Sequence, residues 1–232
     1  MFAAPSAAFL REQVGFRPHL ALDLGCAAGR TTRLVAEATG AELVIGIDMS
    51  KAFLNSAPRA PGVAYVCADA TRPFPTRPPD LVYARLLLAH LPAPEDVVAT
   101  WAQHVRPGGL LLLDEVEWIE TPNPVLELYE EMVTAMVASR GAQISIGPRI
   151  VDLSGTGWRQ RASELRAYPV ATADAARMYG MNLATWRHDP FVSETYDSAV
   201  IDDLAAGLDE LTHSSTKGEI EWGLRQVTYE RF

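Results

Sequence analysis

Five short aliphatic runs constrain this chain more than any other feature: LALDL at 20 to 24, LVIGID at 43 to 48, VAYVCAD at 63 to 69, DLVYAR at 80 to 85 and GLLLLDE at 109 to 115. Each is close to continuously apolar rather than alternating, which is how strands buried on both faces of a sheet read. Helical patterns fill most of the gaps, so the runs predict a doubly wound α/β fold with a mostly parallel sheet. Thr31 to Thr39 forms the first crossover helix, and Ser50 is placed to cap a second over Lys51 to Ala57. A third helix runs from Pro94 to Val105 and stops at Pro107-Gly108-Gly109. The remaining gap, TRPFPTRPP, holds four prolines in nine residues. Those rings remove backbone donors, so the segment reads as a loop or a single turn.

Beyond the fifth run the pattern changes. Asn123 caps a helix with Pro124 in its first turn, running to about Ser139. Helical periodicity returns over Asp174 to Arg187 and Ser193 to Leu211, interrupted at Asp189-Pro190, and EWGLRQVTYERF reads as a closing strand. No linker-like composition shift or internal repeat divides the 232 residues. Residues 1–232 are therefore expected to form one domain, with 119–157 and 174–213 as helical cap segments inserted within it.

Hydrophobic residues at 48% and charged residues at 21% give enough apolar surface for a packed core and exclude a disordered reading. The formal net charge of -9, with no Lys/Arg stripe to offset it, argues against a nucleic-acid partner. The apolar start lacks a basic segment ahead of it, and no run reaches the ~20 residues of a membrane span. The expectation is a cytoplasmic protein with no membrane association, its oligomeric state open. Cys26 and Cys67 are the only cysteines. That inventory fits a reducing compartment better than a disulfide framework, so both are expected to be free thiols.

The chemistry concentrates in LALDLGCAAGRTTRLVAE, where a strand carrying Asp23 leads through Gly25-Cys26-Ala27-Ala28-Gly29 into a helix. Small residues let a ligand approach the backbone, and ligands of open α/β sheets bind beyond the carboxyl ends of the strands. Asp48 ends the second run, where a carboxylate can accept from both ribose hydroxyls, and Asp69 ends the third, within reach of a base amino group. Together they describe a nucleoside without phosphate. The dinucleotide pattern G-x-G-x-x-G fails, because Ala27 and Arg30 occupy its second and third glycine positions.

Through these residues and Pro107-Gly108-Gly109, about half the chain resembles the class I S-adenosylmethionine-dependent methyltransferases. The resemblance implies a seven-stranded Rossmann-like sheet and S-adenosylmethionine as cofactor. It also implies that Gly25, Cys26, Ala27 and Gly29 approach the methionine part with Asp23 beneath, Asp48 holds the ribose, Met49 packs on adenine, and Asp69 and Ala70 flank the base. Ala27 stands where that family has a glycine, which calls for a conventional backbone angle there.

Arg85, at the end of the fourth run, could bind the cofactor carboxylate or an acidic substrate, or could serve a structural salt bridge. The run ARLLLAHL is similar, in its Arg-to-His spacing, to the segment of phosphoethanolamine methyltransferases that supplies a catalytic histidine, with Leu86 in place of that family's aspartate. His90 is thus a candidate general base, or else a ring hydrogen-bonded at a helix start. Asp114 should face away from Glu115 and Glu117, and each acid alone is expected in solvent or an ion pair. Trp101, Met132, Met136, Met178, Tyr179 and Met181 read as core, with some cap members available to line a pocket. His19, His104, His188 and His213 lack metal-ligand spacing, so the expectation is metal-independent methyl transfer to a small-molecule O, N or C nucleophile. Two other readings are a methyltransferase-like protein that binds the same cofactor for a non-methylating reaction such as a cyclisation, and a non-catalytic binding module.

Overall fold

The structure, a computed structural model, describes residues 2–74, 76–214 and 218–232. Helix α1 (Ala3–Gln13) precedes the parallel series β1 (Leu20–Leu24), α2 (Arg30–Thr39), β2 (Leu43–Asp48), α3 (Lys51–Ser56), β3 (Val63–Cys67), β4 (Leu81–Arg85), α4 (Pro94–His104) and β5 (Leu110–Glu120). Then follow α5 (Pro124–Ser139), β6 (Ser154–Gly155), β7 (Trp158–Ala171), α6 (Thr172–Trp186), α7 (Pro190–Thr195), α8 (Ser198–His213) and β8 (Glu219–Arg231). The sheet order is β3-β2-β1-β4-β5-β8-β7-β6. Strands β1 to β5 are parallel, while β8 runs antiparallel to β5 and β7 antiparallel to β8. The doubly wound, mostly parallel expectation therefore holds, with the two-residue β6 making eight strands instead of seven among the described residues.

Alternation along the parallel strands builds two cores. Leu22, Leu24, Val82, Leu111 and Leu113 pack with Trp101 of α4 on one face, whereas Ala21, Tyr83, Leu110 and Leu112 meet Phe9, Leu10 and Val35 of α1 and α2 on the other. A third core lies beneath α5, α6 and α8, where Met132, Tyr179, Leu204 and Trp222 meet Val116 and Phe2. Met136 belongs to it and Met178 packs at its margin, but Met181 is 61% exposed and is not core.

The helix boundaries follow their caps. Ser50 Oγ accepts from the Phe53 N–H, and Asn123 Oδ1 accepts from Val125 and Leu126 with Pro124 at the first helical position. The expected helix over Ser193 to Leu211 is instead two, since Asp189 caps α7 and an extended Tyr196 separates it from α8. The expected cap segment 119–157 begins inside β5, which runs to Glu120, and ends beyond β6.

Strand β5 outreaches its parallel neighbour. Its pairing with β4 ends at Arg85↔Asp114, while its pairing with β8 continues to Glu120↔Glu221 across an irregularity between Val116 and Trp118. The antiparallel extension carries the cap. Strand β7 lies outside it, alternating Arg159, Arg161, Glu164 and Arg166 outward, with Pro169 near its end. Charges and proline of this kind blunt a sheet margin against further pairing.

Candidate active site

The order 2-1-4-5 places a switch point between β1 and β4, and the sequence-selected residues collect at the carboxyl ends of these strands. Gly25 and Gly29 have φ of 68° and 76°, in the left-handed region that glycine enters freely. Ala27 is there too, at 45°, so the expected conventional angle is wrong. The loop dictates this: Gly25 and Cys26 both donate to Ile47 O, and Ala27 N–H is held at 2.9 Å by Asp48 Oδ2. The other Asp48 oxygen accepts from Ser50 N–H at 2.8 Å. Each oxygen retains a lone pair, so Asp48 can secure the loop and still receive two hydroxyls.

Asp23 is buried, with Oδ2 accepting from Thr32 Oγ1 at 2.8 Å and Oδ1 without a partner among the described residues. Burial pushes its pKa up to about 7, against the Thr32 bond and the nearby Arg85 charge. Burial also pushes the Cys26 thiol up to about 12, helped by Asp23 and Asp48, so it stays protonated and packs as a small apolar group. Cys26 and Cys67 are both free.

Met49 is 70% exposed beside Asp48. Asp69 accepts from the Thr71 hydroxyl and N–H, which hold its carboxyl below the usual range. Ala70 is buried, and its carbonyl accepts from Trp101 Nε1 at 2.6 Å. Helix α4 is thereby tied to the loop after β3.

Arg85 forms no ion pair with a described carboxylate. It donates to Ser6 Oγ at 3.2 Å and Thr31 Oγ1 at 3.1 Å. Ser6 in turn donates to Asp114 Oδ2 at 2.6 Å, where Tyr83 OH also donates at 3.0 Å, and Gln226 donates to the second oxygen. Asp114 is thus a buried, hydroxyl-bonded carboxylate whose pKa is raised by burial, neither solvated nor ion-paired as the sequence suggested. Helix α1, which supplies Ser6, has no motif that would have announced this contact.

Glu115 faces the opposite way, as expected. Its Oε1 accepts from the N–H groups of Leu87 and Leu88 at 2.9 and 3.0 Å, and its Oε2 has no partner among the described residues. Burial raises its pKa to about 7. This carboxylate pins the turn after β4, where Leu86 has a φ of 52° and the 3-10 segment Leu88–His90 begins. Glu117 alone behaves as an ion-pair acid, gripping Arg225 at 2.6 and 2.9 Å.

The pinned turn presents His90 to a cavity of about 270 Å³ between the carboxyl ends of β4 and β5 and the cap. Leu86, Ala89 and His90 form one wall, Val116 and Ile119 another, and α5 and α6 contribute Tyr129, Glu130, Met178, Tyr179 and Asn182. His90 is exposed at the cavity mouth yet crowded by protein atoms, which lower its pKa, with repulsion from Arg140 added. Its imidazole makes no hydrogen bond to a described residue, so it is not a ring tied down at a helix start. Among the described residues no group of three His, Cys, Asp or Glu side chains is placed to hold a metal, and no helix is long and apolar enough to cross a membrane.

This sheet order, with the switch-point crevice and its acids, is that of a Rossmann-like α/β fold. Residues 22–113 match the methyltransferase domain family. A trans-aconitate 2-methyltransferase of Methylobacterium radiotolerans is 34% identical over 173 residues, 74% of this chain and 63% of that protein. The match thus spans less than two thirds of that relative's length. Among solved structures, a protein of Anaeromyxobacter dehalogenans with a provisional type II methyltransferase assignment shares the fold at a TM-score of 0.64 and 18% identity, over 98% of this chain and 95% of that one. A Haemonchus contortus phosphoethanolamine N-methyltransferase, solved with phosphomonomethylethanolamine and S-adenosylhomocysteine, has a TM-score of 0.53 at 16% identity, covering 98% of this chain and 52% of that one. Residues 22–113 thus carry a match to the methyltransferase domain family, within a fold shared with these solved structures.

Proposed function

We propose that this protein binds S-adenosylmethionine in the switch-point crevice and methylates a small molecule held in the cavity beneath the cap. The observation that carries the reading is the clamp around Asp48: one carboxylate fixes the Gly25–Gly29 loop through Ala27 and keeps acceptor capacity for a ribose. The residues present fit the cofactor. The orphaned, buried Asp23 Oδ1 suits a cationic amino group. Gly25 keeps the loop backbone bare, because its φ of 68° strains any side chain and a Cβ there would lie 2.9 Å from a Leu87 methyl. Asp69, Ala70 and Met49, at the carboxyl ends of β2 and β3, would flank the base, and Arg85, at the end of β4, would receive the cofactor carboxylate.

When bound, the cofactor supplies an electrophilic sulfonium methyl. The chain's own contribution is to hold the acceptor in line and exclude water, which accounts for most catalysis in such displacements. His90 is the general base: its lowered pKa leaves it neutral at pH 7, and neither ring nitrogen is committed elsewhere. Glu115 is a positioning residue that acts through the turn carrying His90. The 121–153 and 172–213 regions form the cap of a single domain.

Calorimetric titration with S-adenosylmethionine tests the reading, with NADH as control ligand. Asp48→Ala should weaken binding by about 1–3 kcal/mol, the cost of losing hydrogen bonds to a charged group. Absence of binding to the unaltered protein, or a preference for NADH, overturns the assignment.

A further inference from the structure

The cavity that would hold the acceptor has a definite chemical character. Among the described residues its wall contains no arginine or lysine. Arg85, the cation nearest in sequence, bonds Ser6 and Thr31 on the other face of the sheet, and Arg140, whose charge is felt by His90 at the mouth, is paired with Asp189 and is not part of the wall. Among the described residues Glu130 is the one acidic side chain on the wall. It accepts from Tyr179 OH through Oε1, and its second oxygen receives no hydrogen bond from a described residue. Around it the wall is aromatic and aliphatic: Tyr129 and Tyr179 stack with centroids 3.9 Å apart and planes 8° apart, and Trp222, Met178 and Val116 complete the enclosure.

A tricarboxylate, the substrate type named for the Methylobacterium radiotolerans relative, would bring its negative charges against Glu130 with no arginine or lysine to receive them. Buried charges need partners, so that ligand is rejected by the wall. A positively charged group is the complement: it pairs with the free oxygen of Glu130 and gains further from the electron-rich faces of the tyrosines and Trp222. We infer that the cap cavity is a recognition site for an apolar amine, its ammonium held by Glu130 and its hydrocarbon or aromatic body packed against Tyr129, Tyr179 and Trp222. His90 on the facing wall can take one proton from that ammonium, becoming imidazolium and leaving the nitrogen neutral with its lone pair free. Burial raises the pKa of Glu130 to about 7, against the Tyr179 bond, and a cation beside it would lower that value.

This inference rests on the methyltransferase reading, and the two can fail separately. The test saturates the protein with S-adenosylhomocysteine, an independent titration that reports the cofactor site. Calorimetry then compares three probes: tetrahydroisoquinoline as a cationic secondary amine, 2-naphthol as an uncharged aromatic and trans-aconitate as a tricarboxylate. The amine should bind at least tenfold more tightly than naphthol, and trans-aconitate should bind most weakly. Glu130→Gln, which keeps the shape and an acceptor for Tyr179, should abolish the preference for amine over naphthol without changing the S-adenosylhomocysteine affinity. Trans-aconitate binding tightest overturns the inference. So does any result in which the amine has no advantage, including no binding of any probe, or in which Glu130→Gln leaves the advantage intact. Failure of S-adenosylhomocysteine to bind removes the cofactor assignment itself.

Discussion

The two halves of the sheet solve different problems. Strands β1 to β4 are short, parallel and covered by helices on both faces, so each element is specified by its own residues: aliphatic runs, caps, and loops of small residues. The antiparallel half, β5, β8 and β7, is made of long strands whose outer ends support a helical cap. There the side chains that meet in the cavity come from segments about 50 residues apart in sequence, such as Glu130 and Tyr179. The first half sets its site residues at strand ends and helix starts that their own sequence marks, whereas the second brings together side chains that no local pattern marks.

The comparison can be broken most forcefully in the parallel half. Trp101 is fully buried and also bonds Ala70, so Trp101→Ala should cost about 3–5 kcal/mol of unfolding free energy in a urea titration. A loss no larger than that of a cap substitution such as Met178→Ala would mean that the parallel half is not the stability core.

The buried acids give the next largest effect. Asp23 titrates near 7 when folded against 3.8 ordinarily, so between these values the folded state holds the extra proton. Its stabilising contribution is complete below the lower value and is lost as pH rises through the higher one. Between pH 5 and 8 the unaltered protein should lose about 2–3 kcal/mol more stability than Asp23→Asn, measured by denaturant unfolding at each pH.

Glu115 sits where the halves join. Glu115→Gln should lower kcat about tenfold by loosening the turn that carries His90, while the calorimetric affinity for S-adenosylmethionine is unchanged. An equal loss of cofactor affinity would show that the turn belongs to the crevice rather than to the cavity.

The smallest effect is a gain. Ala27→Gly removes a left-handed alanine, and the relief exceeds the entropic cost of glycine by about 0.5–1 kcal/mol, visible as a raised Tm.

Legibility followed the same division. Asp23, the Gly25–Gly29 loop, Asp48, Asp69, Ser50 and Asn123 could be read because each sits at a strand end, in the loop that follows or at a helix start, positions that the local sequence marks. Glu130 could not, because nothing local distinguishes it from other acids on α5. Strand β7 escaped notice because its alternating charges and Pro169, the devices that protect a sheet margin, also erase the apolar run that announces a strand. The conformation of Ala27 was misread because residue type alone favours an ordinary angle, whereas Asp48, 21 residues away, dictates the other. His90 was read from its spacing to Arg85, but the carboxylate that holds its turn lies one strand over.

Strand β5 belongs to both halves, pairing with β4 through Asp114 and with β8 through Glu120. It acts as a girder. Because its ladder to β8 runs past the end of the parallel strands, crevice and cavity keep a fixed spacing, and adaptation to a new guest falls to the chain draped over that beam. Replacement of 121–153 by a segment of different shape would retool the guest pocket while leaving the nucleoside seat and its bearing in place.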